Sequence, residues 1–144
     1  WRVGALLGNA EVLRLFSRLK SHMDYGIFLP LQIAAAAALS SQTNLVQANV
    51  QEYQTRARTL VKGLKNLNWD VEMPAAGCTV WARPPSHLVT EGSEAFALRA
   101  LEEKSVAVLP GKFFGEDFDK SVRFALVLGQ EKITAVLNGL SSLA

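Results

Sequence analysis

Cysteine and histidine are scarce in this sequence, and their scarcity excludes several kinds of site. The 144 residues contain one cysteine, Cys78, so an intrachain disulfide framework and an all-cysteine metal site are both excluded. The two histidines, His22 and His87, lie far apart and lack the spacing of a metal-ligand pair. We therefore expect no metal, and the cysteine count favours a reducing compartment such as the cytoplasm.

An excess of charge and a long apolar run are missing as well. Fifteen basic and thirteen acidic residues give a net charge of +2, too small and too mixed for a dedicated nucleic-acid surface. The longest apolar run, residues 27–39, contains Gln32 and is too short to cross a bilayer. Neither nucleic acid nor membrane is expected as a partner. With 49% hydrophobic residues, the chain can build the core of a soluble domain.

Helical periodicity dominates the first half of the chain. Asn9 is a good N-cap for a helix that runs to about residue 21, and Pro30 suits the first turn of the next helix. Five consecutive alanines at 34–38 predict that this second helix is buried by neighbours on several sides. Apolar residues then recur in steps of three and four over residues 44–67, which predicts one long helix with an apolar stripe.

From Trp69 onward the pattern alternates between strands and helices. Strand-like alternation predicts four strands, at residues 70–73, 78–83, 106–109 and 121–128. Ser93 is placed to cap a helix that ends near residue 104, and a last helix follows Gly129. This order of elements predicts an α/β fold in which a layer of helices packs on one face of a small mixed sheet.

Two arginines stand out by their surroundings. Arg2 lies in an apolar stretch near the beginning, and Arg123 lies within the apolar run 122–128. Strand alternation places Arg123 on the face opposite Val122 and Phe124. From the pattern alone, each arginine is either an ordinary surface or salt-bridged residue or the binding group for a phosphate or carboxylate. No glycine-rich phosphate loop, Ser-His-Asp set or pair of catalytic carboxylates accompanies them.

Several stretches, in order, resemble class I and II aminotransferases. They are Trp1-Arg2-Val3-Gly4, Pro30-Leu31-Gln32 with the alanine-rich helix, the long helix 44–67, Ala76-Gly77-Cys78-Thr79-Val80-Trp81, Pro110-Gly111-Lys112-Phe113-Phe114-Gly115, and Val122-Arg123. The first resembles the end of a Gly-x-Arg-x-Gly segment, and the last two resemble a Pro-Gly-x-x-Phe-Gly turn followed by a Val-Arg strand. The resemblance extends over essentially the whole chain.

The resemblance implies a fold, a cofactor and two site residues. The chain would be the C-terminal portion of the aspartate-aminotransferase-like fold, with residues 1–45 trailing from the large domain and residues 46–144 forming the small domain. The cofactor would be pyridoxal 5′-phosphate, with Arg2 on its phosphate and Arg123 on the α-carboxylate of the substrate. The implied reaction transfers an amino group between an α-amino acid and a 2-oxo acid, in a homodimer.

The family's Schiff-base lysine would lie upstream of residue 1, so no catalytic residue is expected on this chain. The seven lysines present lie in polar stretches without the apolar surroundings that activate an amine. We therefore expect an inactive fragment of a larger enzyme. A pyridoxal-phosphate-dependent lyase of the same fold and a free-standing, non-catalytic association domain are the alternatives. A start codon near residue 1 would favour the association domain.

Overall fold

The computed structural model describes residues 2–41 and 45–143, the side chain of residue 45 excepted. The chain divides into two compact units, residues 1–44 and 45–144. Among the described residues, no helix is long and apolar enough to span a bilayer.

The first unit contains α1 (Ala10–Met23) and α2 (Leu29–Ser40). The predicted cap of α1 is confirmed, because the Asn9 side-chain oxygen accepts hydrogen bonds from two backbone N–H groups in the first turn of α1, at 2.8 and 3.3 Å. Pro30 lies in the first turn of α2, as predicted. The burial predicted for the alanine run is wrong within this chain, since no residue of α1 or α2 is buried.

The second unit combines helices and short strands, which confirms the α/β class. Its described helices are α3 (Leu45–Asn66), α4 (Ser93–Lys104) and α5 (Gln130–Ser141). Its strands are β1 (Asp70–Val71), β2 (Thr79–Arg83), β3 (Leu109–Pro110) and β4 (Val122–Ala125). Short 3₁₀ turns follow β2 at Ser86–Leu88 and join β3 to β4 at Gly111–Phe114 and Glu116–Phe118.

The four strands pair in the order β1-β2-β4-β3, and all three pairs are antiparallel. The prediction of a mixed sheet is wrong in this respect. Helix α4 connects β2 to β3 and leaves them pointing in the same direction, but β4 inserts between them. None of the four described strands therefore has a parallel neighbour.

One face of the sheet is covered by the helices. Val80 and Ala82 of β2 and Val122 and Phe124 of β4 are buried there. Helix α3 contributes buried residues from its second half, and the Trp69 ring contacts the sheet and α4. The other members of this core are Ala57, Leu60, Val61, Leu64, Val71, Val89, Phe96, Ala100, Val106, Leu126, Ile133, Leu140 and Leu143. Since strand side chains alternate, the residues between the buried ones point to the opposite, uncovered face.

Candidate functional site

The uncovered face of the sheet carries Arg123, as the alternation predicts. Arg123 lies in β4 between buried Val122 and buried Phe124 and is itself partly exposed. Its neighbour in β2 is Trp81 and its neighbour in β3 is Leu109, both directly opposite in register. Arg123 therefore occupies the centre of this face, with a paired strand on each side.

One aromatic ring lies against the Arg123 guanidinium, and two more contact that ring directly or through each other. Its central carbon lies over the Phe114 ring, 4.5 Å from the ring centroid. Trp81 meets Phe114 edge to face, with centroids 5.1 Å apart, and contacts Phe118 at 5.4 Å. We call Trp81, Phe114 and Phe118 the aromatic triad. A cation over an aromatic ring is attracted by the negative face of that ring.

The guanidinium N–H groups of Arg123 have no hydrogen-bond or ion-pair partner within residues 2–41 and 45–143. No oxygen of these residues accepts a hydrogen bond from them, and no carboxylate forms an ion pair with them. A partly buried guanidinium presents several donors in one plane, which matches the two oxygens of a carboxylate. The geometry can therefore bind a planar anion on the uncovered face.

The turn that carries Phe114 requires glycine at its start. A Cβ atom at Gly111 would collide with the backbone oxygen of Phe118, and the Gly111 N–H donates to the Ser121 carbonyl at 2.8 Å. At the end of the turn, Gly115 has φ +132°, which glycine adopts without strain. The Pro-Gly-x-x-Phe-Gly pattern thus folds the turn back against the start of β4.

A polar cluster fastens this turn to α4. Asp119 accepts hydrogen bonds from the backbone N–H and the hydroxyl of Ser93, both at 3.0 Å. The backbone N–H of Lys112 donates to the same hydroxyl at 3.1 Å. Ser93 is fully buried, so these bonds satisfy its polar groups. The hydrogen bonds from the Ser93 backbone N–H and then its hydroxyl hold the pKa of Asp119 below its ordinary value of 3.8.

The prediction that Ser93 caps α4 is wrong by one position. Gly92 is the cap residue and Ser93 begins the helix, with its hydroxyl directed to Asp119 instead of to the helix backbone. Gly92 has φ +94°, and a Cβ there would approach a carboxylate oxygen of Asp119 to 2.7 Å. Glycine therefore gives the Asp119 carboxylate room at the start of the helix.

Arg2 lies in the first unit, and Arg123 lies in the second. Arg2 is exposed and has φ +61°, and it has no hydrogen-bond or ion-pair partner in the described part of the chain. An exposed guanidinium with free donors suits a phosphate group by its chemistry. None of the seven lysines, all of which are described, is buried. A deeply buried, activated amine is therefore absent from the described residues.

A concave region lies elsewhere, between α3 and the link from β1 to β2. This groove has a volume of about 840 Å³, and its lining includes Val50, Tyr53, Met73 and Cys78. It holds one charged side chain, Arg58, and no carboxylate. In the described residues, no group of histidine, cysteine or acidic side chains could hold a metal ion. The aromatic triad with Arg123 is thus the better candidate site.

The sequence indicated Arg123 but not its aromatic surroundings. The apolar character of Phe114 and Phe118 predicts a core or subunit contact. Neither ring is in the buried core, with 43% and 46% of their surfaces exposed, and the subunit contact stays a prediction. One signal for Trp81 was present in the sequence. Trp81 alternates with the apolar Val80, just as Arg123 alternates with Val122, so both side chains are expected on the face opposite the core.

Comparison with known proteins identifies the family. The family model for aminotransferase class I and II matches residues 1–140. The chain belongs to the class I and II aminotransferases. Members of this family with this fold use pyridoxal phosphate, which agrees with the resemblance in the sequence.

Curated relatives in this family include two bacterial aminotransferases. Glutamate-pyruvate aminotransferase AlaC of Escherichia coli is 41% identical over 143 residues, which cover 99% of this chain and 35% of AlaC. LL-diaminopimelate aminotransferase 2 of Nostoc is 34% identical over 134 residues, covering 92% of this chain and 33% of the relative. The chain spans about a third of the length of the curated relatives it matches.

Solved aminotransferase-fold structures agree with the fold described above. BacF from Bacillus subtilis, in its apo form, superposes with a TM-score of 0.84 at 30% identity. The superposition covers 95% of this chain and 35% of BacF. N-succinyldiaminopimelate aminotransferase from Mycobacterium tuberculosis gives a TM-score of 0.83 at 25% identity, covering 95% of this chain and 36% of that structure. The fold predicted from the sequence is confirmed.

Proposed function

We propose that the whole protein containing this chain transfers an amino group between an α-amino acid and a 2-oxo acid, and that Arg123 binds their α-carboxylate. One observation carries this proposal. Arg123 is partly exposed on the sheet face opposite the helices, its guanidinium is stacked on Phe114, and the guanidinium has no acceptor among the described residues. Both substrates carry a planar carboxylate, which is the partner that such a group lacks.

The shape of the guanidinium favours a carboxylate over other anions. Its N–H donors lie in one plane, and two of them can meet the two carboxylate oxygens in parallel charge-assisted hydrogen bonds. A lysine supplies the same charge as a single point and cannot form this pair of bonds. Arg123 would therefore fix both the position and the orientation of the amino acid.

Arg2 is proposed to bind the phosphate of pyridoxal phosphate. Its exposed side chain and free donors fit a phosphate, and its place in Trp1-Arg2-Val3-Gly4 matches the family pattern. Pyridoxal phosphate, when bound, supplies an electron sink for the bonds at the substrate's α-carbon. Arg2 would hold the group in place, while the catalytic lysine is proposed to lie upstream of residue 1.

The proposal assigns residues 1–45 to the end of the large domain and residues 46–144 to the small domain. The division of the chain near residue 45 supports it. The 144 residues alone are expected to be inactive, since the proposal assigns the lysine and most of the large domain to other residues of the whole protein. The homodimer and the cytoplasmic location stay predictions.

Substituting each arginine separately in the whole protein tests both assignments. Arg123→Lys should raise the KM for the amino acid about 10- to 150-fold, because hydrogen bonds to charged partners contribute about 1.5–3 kcal/mol each. It should leave pyridoxal phosphate bound. Arg2→Ala should have the reverse effect, weakening retention of the cofactor while the KM for the amino acid changes little. Steady-state kinetics and cofactor absorbance after dialysis measure the two effects.

Arg58→Lys is the matched control for these variants. Arg58 is exposed on α3, and its described polar contact is with Gln54 on the same helix. It should behave like the unchanged protein. Loss of cofactor from Arg123→Lys, with an unchanged KM, would show that the two arginines have been assigned to the wrong anions.

The same preparation separates transamination from the alternatives. With an amino acid and 2-oxoglutarate, an aminotransferase consumes the 2-oxo acid in proportion to the donor. A lyase would convert the amino acid without consuming the 2-oxo acid. A non-catalytic association domain would show no turnover with any donor.

A further inference from the structure

Phe114 is the residue on which the Arg123 guanidinium rests. The central carbon of the guanidinium lies 4.5 Å from the Phe114 ring centroid, which is within the range of a cation–π contact. Arginine has several rotatable bonds, so an arginine without such a contact samples many orientations. A ring below the guanidinium restricts that freedom before any anion binds.

Stacking on a ring leaves the N–H donors of Arg123 available. The attraction between a cation and a ring acts through the face of the ring. The N–H groups lie around the rim of the guanidinium, in its own plane, and a carboxylate approaches that rim. One side chain can therefore contact Phe114 and bind a carboxylate at the same time.

The Phe114 ring is itself held in place by Trp81 and by the 3₁₀ turn Gly111–Phe114. Trp81 lies opposite Arg123 in the β2–β4 register and contacts Phe114 edge to face at 5.1 Å. The Phe118 ring contacts the Trp81 ring, with the two centroids 5.4 Å apart. The backbone of Phe114 belongs to the turn that begins at Gly111, and Gly111 packs closely against the backbone of Phe118 and Ser121.

We propose that Phe114 is a positioning residue, which orients the Arg123 guanidinium for the α-carboxylate. This inference rests on the proposed function of Arg123 and assigns Phe114 a separate role. Phe114 acts through Arg123, so its effect should depend on the arginine being present. It should also depend on the aromatic ring, because leucine at this position is apolar but has no negative face.

A double-mutant cycle in the whole enzyme tests the inference. Phe114→Leu should raise the KM for the amino acid about 5- to 30-fold, with a smaller change in kcat. The KM for the 2-oxo acid should rise in parallel, since it carries the same carboxylate. In the Arg123→Lys background, Phe114→Leu should change the KM less than twofold, because the two residues act as one unit.

Two further variants keep the test informative. Phe114→Tyr retains the ring and should restore a KM within about twofold of the unchanged enzyme. Phe113→Leu is the matched control, because Phe113 is the adjacent residue of the same turn, is 64% exposed and has no ring contact within the described residues. If Phe114→Leu does not fold, Phe114→Met provides a flexible apolar side chain without a ring.

The outcomes distinguish this inference from the proposed function. If Arg123→Lys leaves the KM unchanged, the proposed function fails and the inference fails with it. If Arg123→Lys raises the KM but Phe114→Leu does not, Arg123 keeps its role and only the inference is overturned. An equal effect of Phe114→Leu with and without Arg123 would also overturn it, since a purely structural role predicts that result.

Discussion

Gly111 determines how closely the start of the Phe114 turn approaches the backbone of the residues just before β4. Its position leaves no room for a Cβ atom, which would collide with the backbone oxygen of Phe118. A backbone oxygen cannot rotate away as a flexible side chain can. The Gly111 N–H also donates to the Ser121 carbonyl at 2.8 Å, which joins the turn to the residue just before β4. A single missing side chain thus allows the turn that carries Phe114 to start this close to Phe118 and Ser121.

Gly111→Ala should therefore destabilise the protein. Forcing extra volume into a closely packed site costs about 1–3 kcal/mol, and the obstacle here is backbone. Urea denaturation followed by circular dichroism measures the free energy of unfolding of this variant against the unchanged chain. Gly129→Ala is the control, because no atom lies within 4 Å of its Cβ position and its φ is −67°. It should cost less than about 1 kcal/mol. Equal stability of the two variants would contradict the packing argument.

At the scale of elements, the start of α4 and the loop before β4 stabilise each other through Asp119. The carboxylate receives two hydrogen bonds from Ser93, and a negative charge is favourable at a helix N-terminus. The same Ser93 hydroxyl accepts from the backbone of Lys112, within the Phe114 turn. The start of α4 and two parts of the connection from β3 to β4 therefore share one polar cluster.

Asp119→Asn should lower the stability most at neutral pH. The pKa of Asp119 is lowered in the folded state, so the stabilisation by its carboxylate is fully present above its unfolded value of about 3.8. It is lost as the pH falls through the lower folded value. The difference in Tm between the variant and the unchanged chain should therefore be largest near pH 7 and shrink below about pH 4. Thermal unfolding at a series of pH values checks this.

Asp117→Asn provides the control for that series. Asp117 is exposed in the same loop and has no hydrogen-bond or ion-pair partner in the described part of the chain. Its Tm should follow that of the unchanged chain at every pH. A constant difference between Asp119→Asn and the unchanged chain from pH 7 to pH 3 would contradict the role given to the carboxylate.

The elements whose stabilising contacts are local were predictable from the sequence. Asn9 caps α1 through residues two and three positions away, and the long stripe of α3 lies on one helix. The cap of α4 was predicted one residue late, because Ser93 bonds to Asp119, 26 residues away. The predicted strand 106–109 shrank to β3, since the Val106 N–H bonds to the Ala100 carbonyl and ends α4 instead.

In the candidate site, too, the part set by a local pattern was predictable and the part set by long-range contacts was not. The phase of β4 alone was enough to place Arg123 opposite the buried residues. Its stacking on Phe114 depends on two 3₁₀ turns between residues 111 and 118, whose path no periodic pattern specifies. The position of β4 between β2 and β3 also depends on contacts between residues far apart in the sequence, so local patterns did not predict it.

At the scale of the whole molecule, the two units differ in how they are stabilised. The second unit contains every buried hydrophobic residue in the described part of the chain, from Ala57 to Leu143. Residues 2–41 of the first unit include none, and the apolar stripe of α1 is exposed, with Val12 and Leu19 each more than half accessible. Since burial of apolar surface is the main favourable term in folding, stability should reside in residues 45–144.

Residues 45–144 should therefore fold on their own, and residues 1–44 should not. The longer piece retains the whole sheet, its three helices and the complete core, so its Tm should lie within a few degrees of that of the full chain. The shorter piece keeps two helices of 14 and 12 residues, and isolated helices of that length are marginal in water. Circular dichroism during heating should show a cooperative transition for residues 45–144 and a gradual loss of weak helicity for residues 1–44. A non-cooperative melt of the longer piece would show that its core is completed by the first 44 residues, because a self-sufficient core unfolds in a single step.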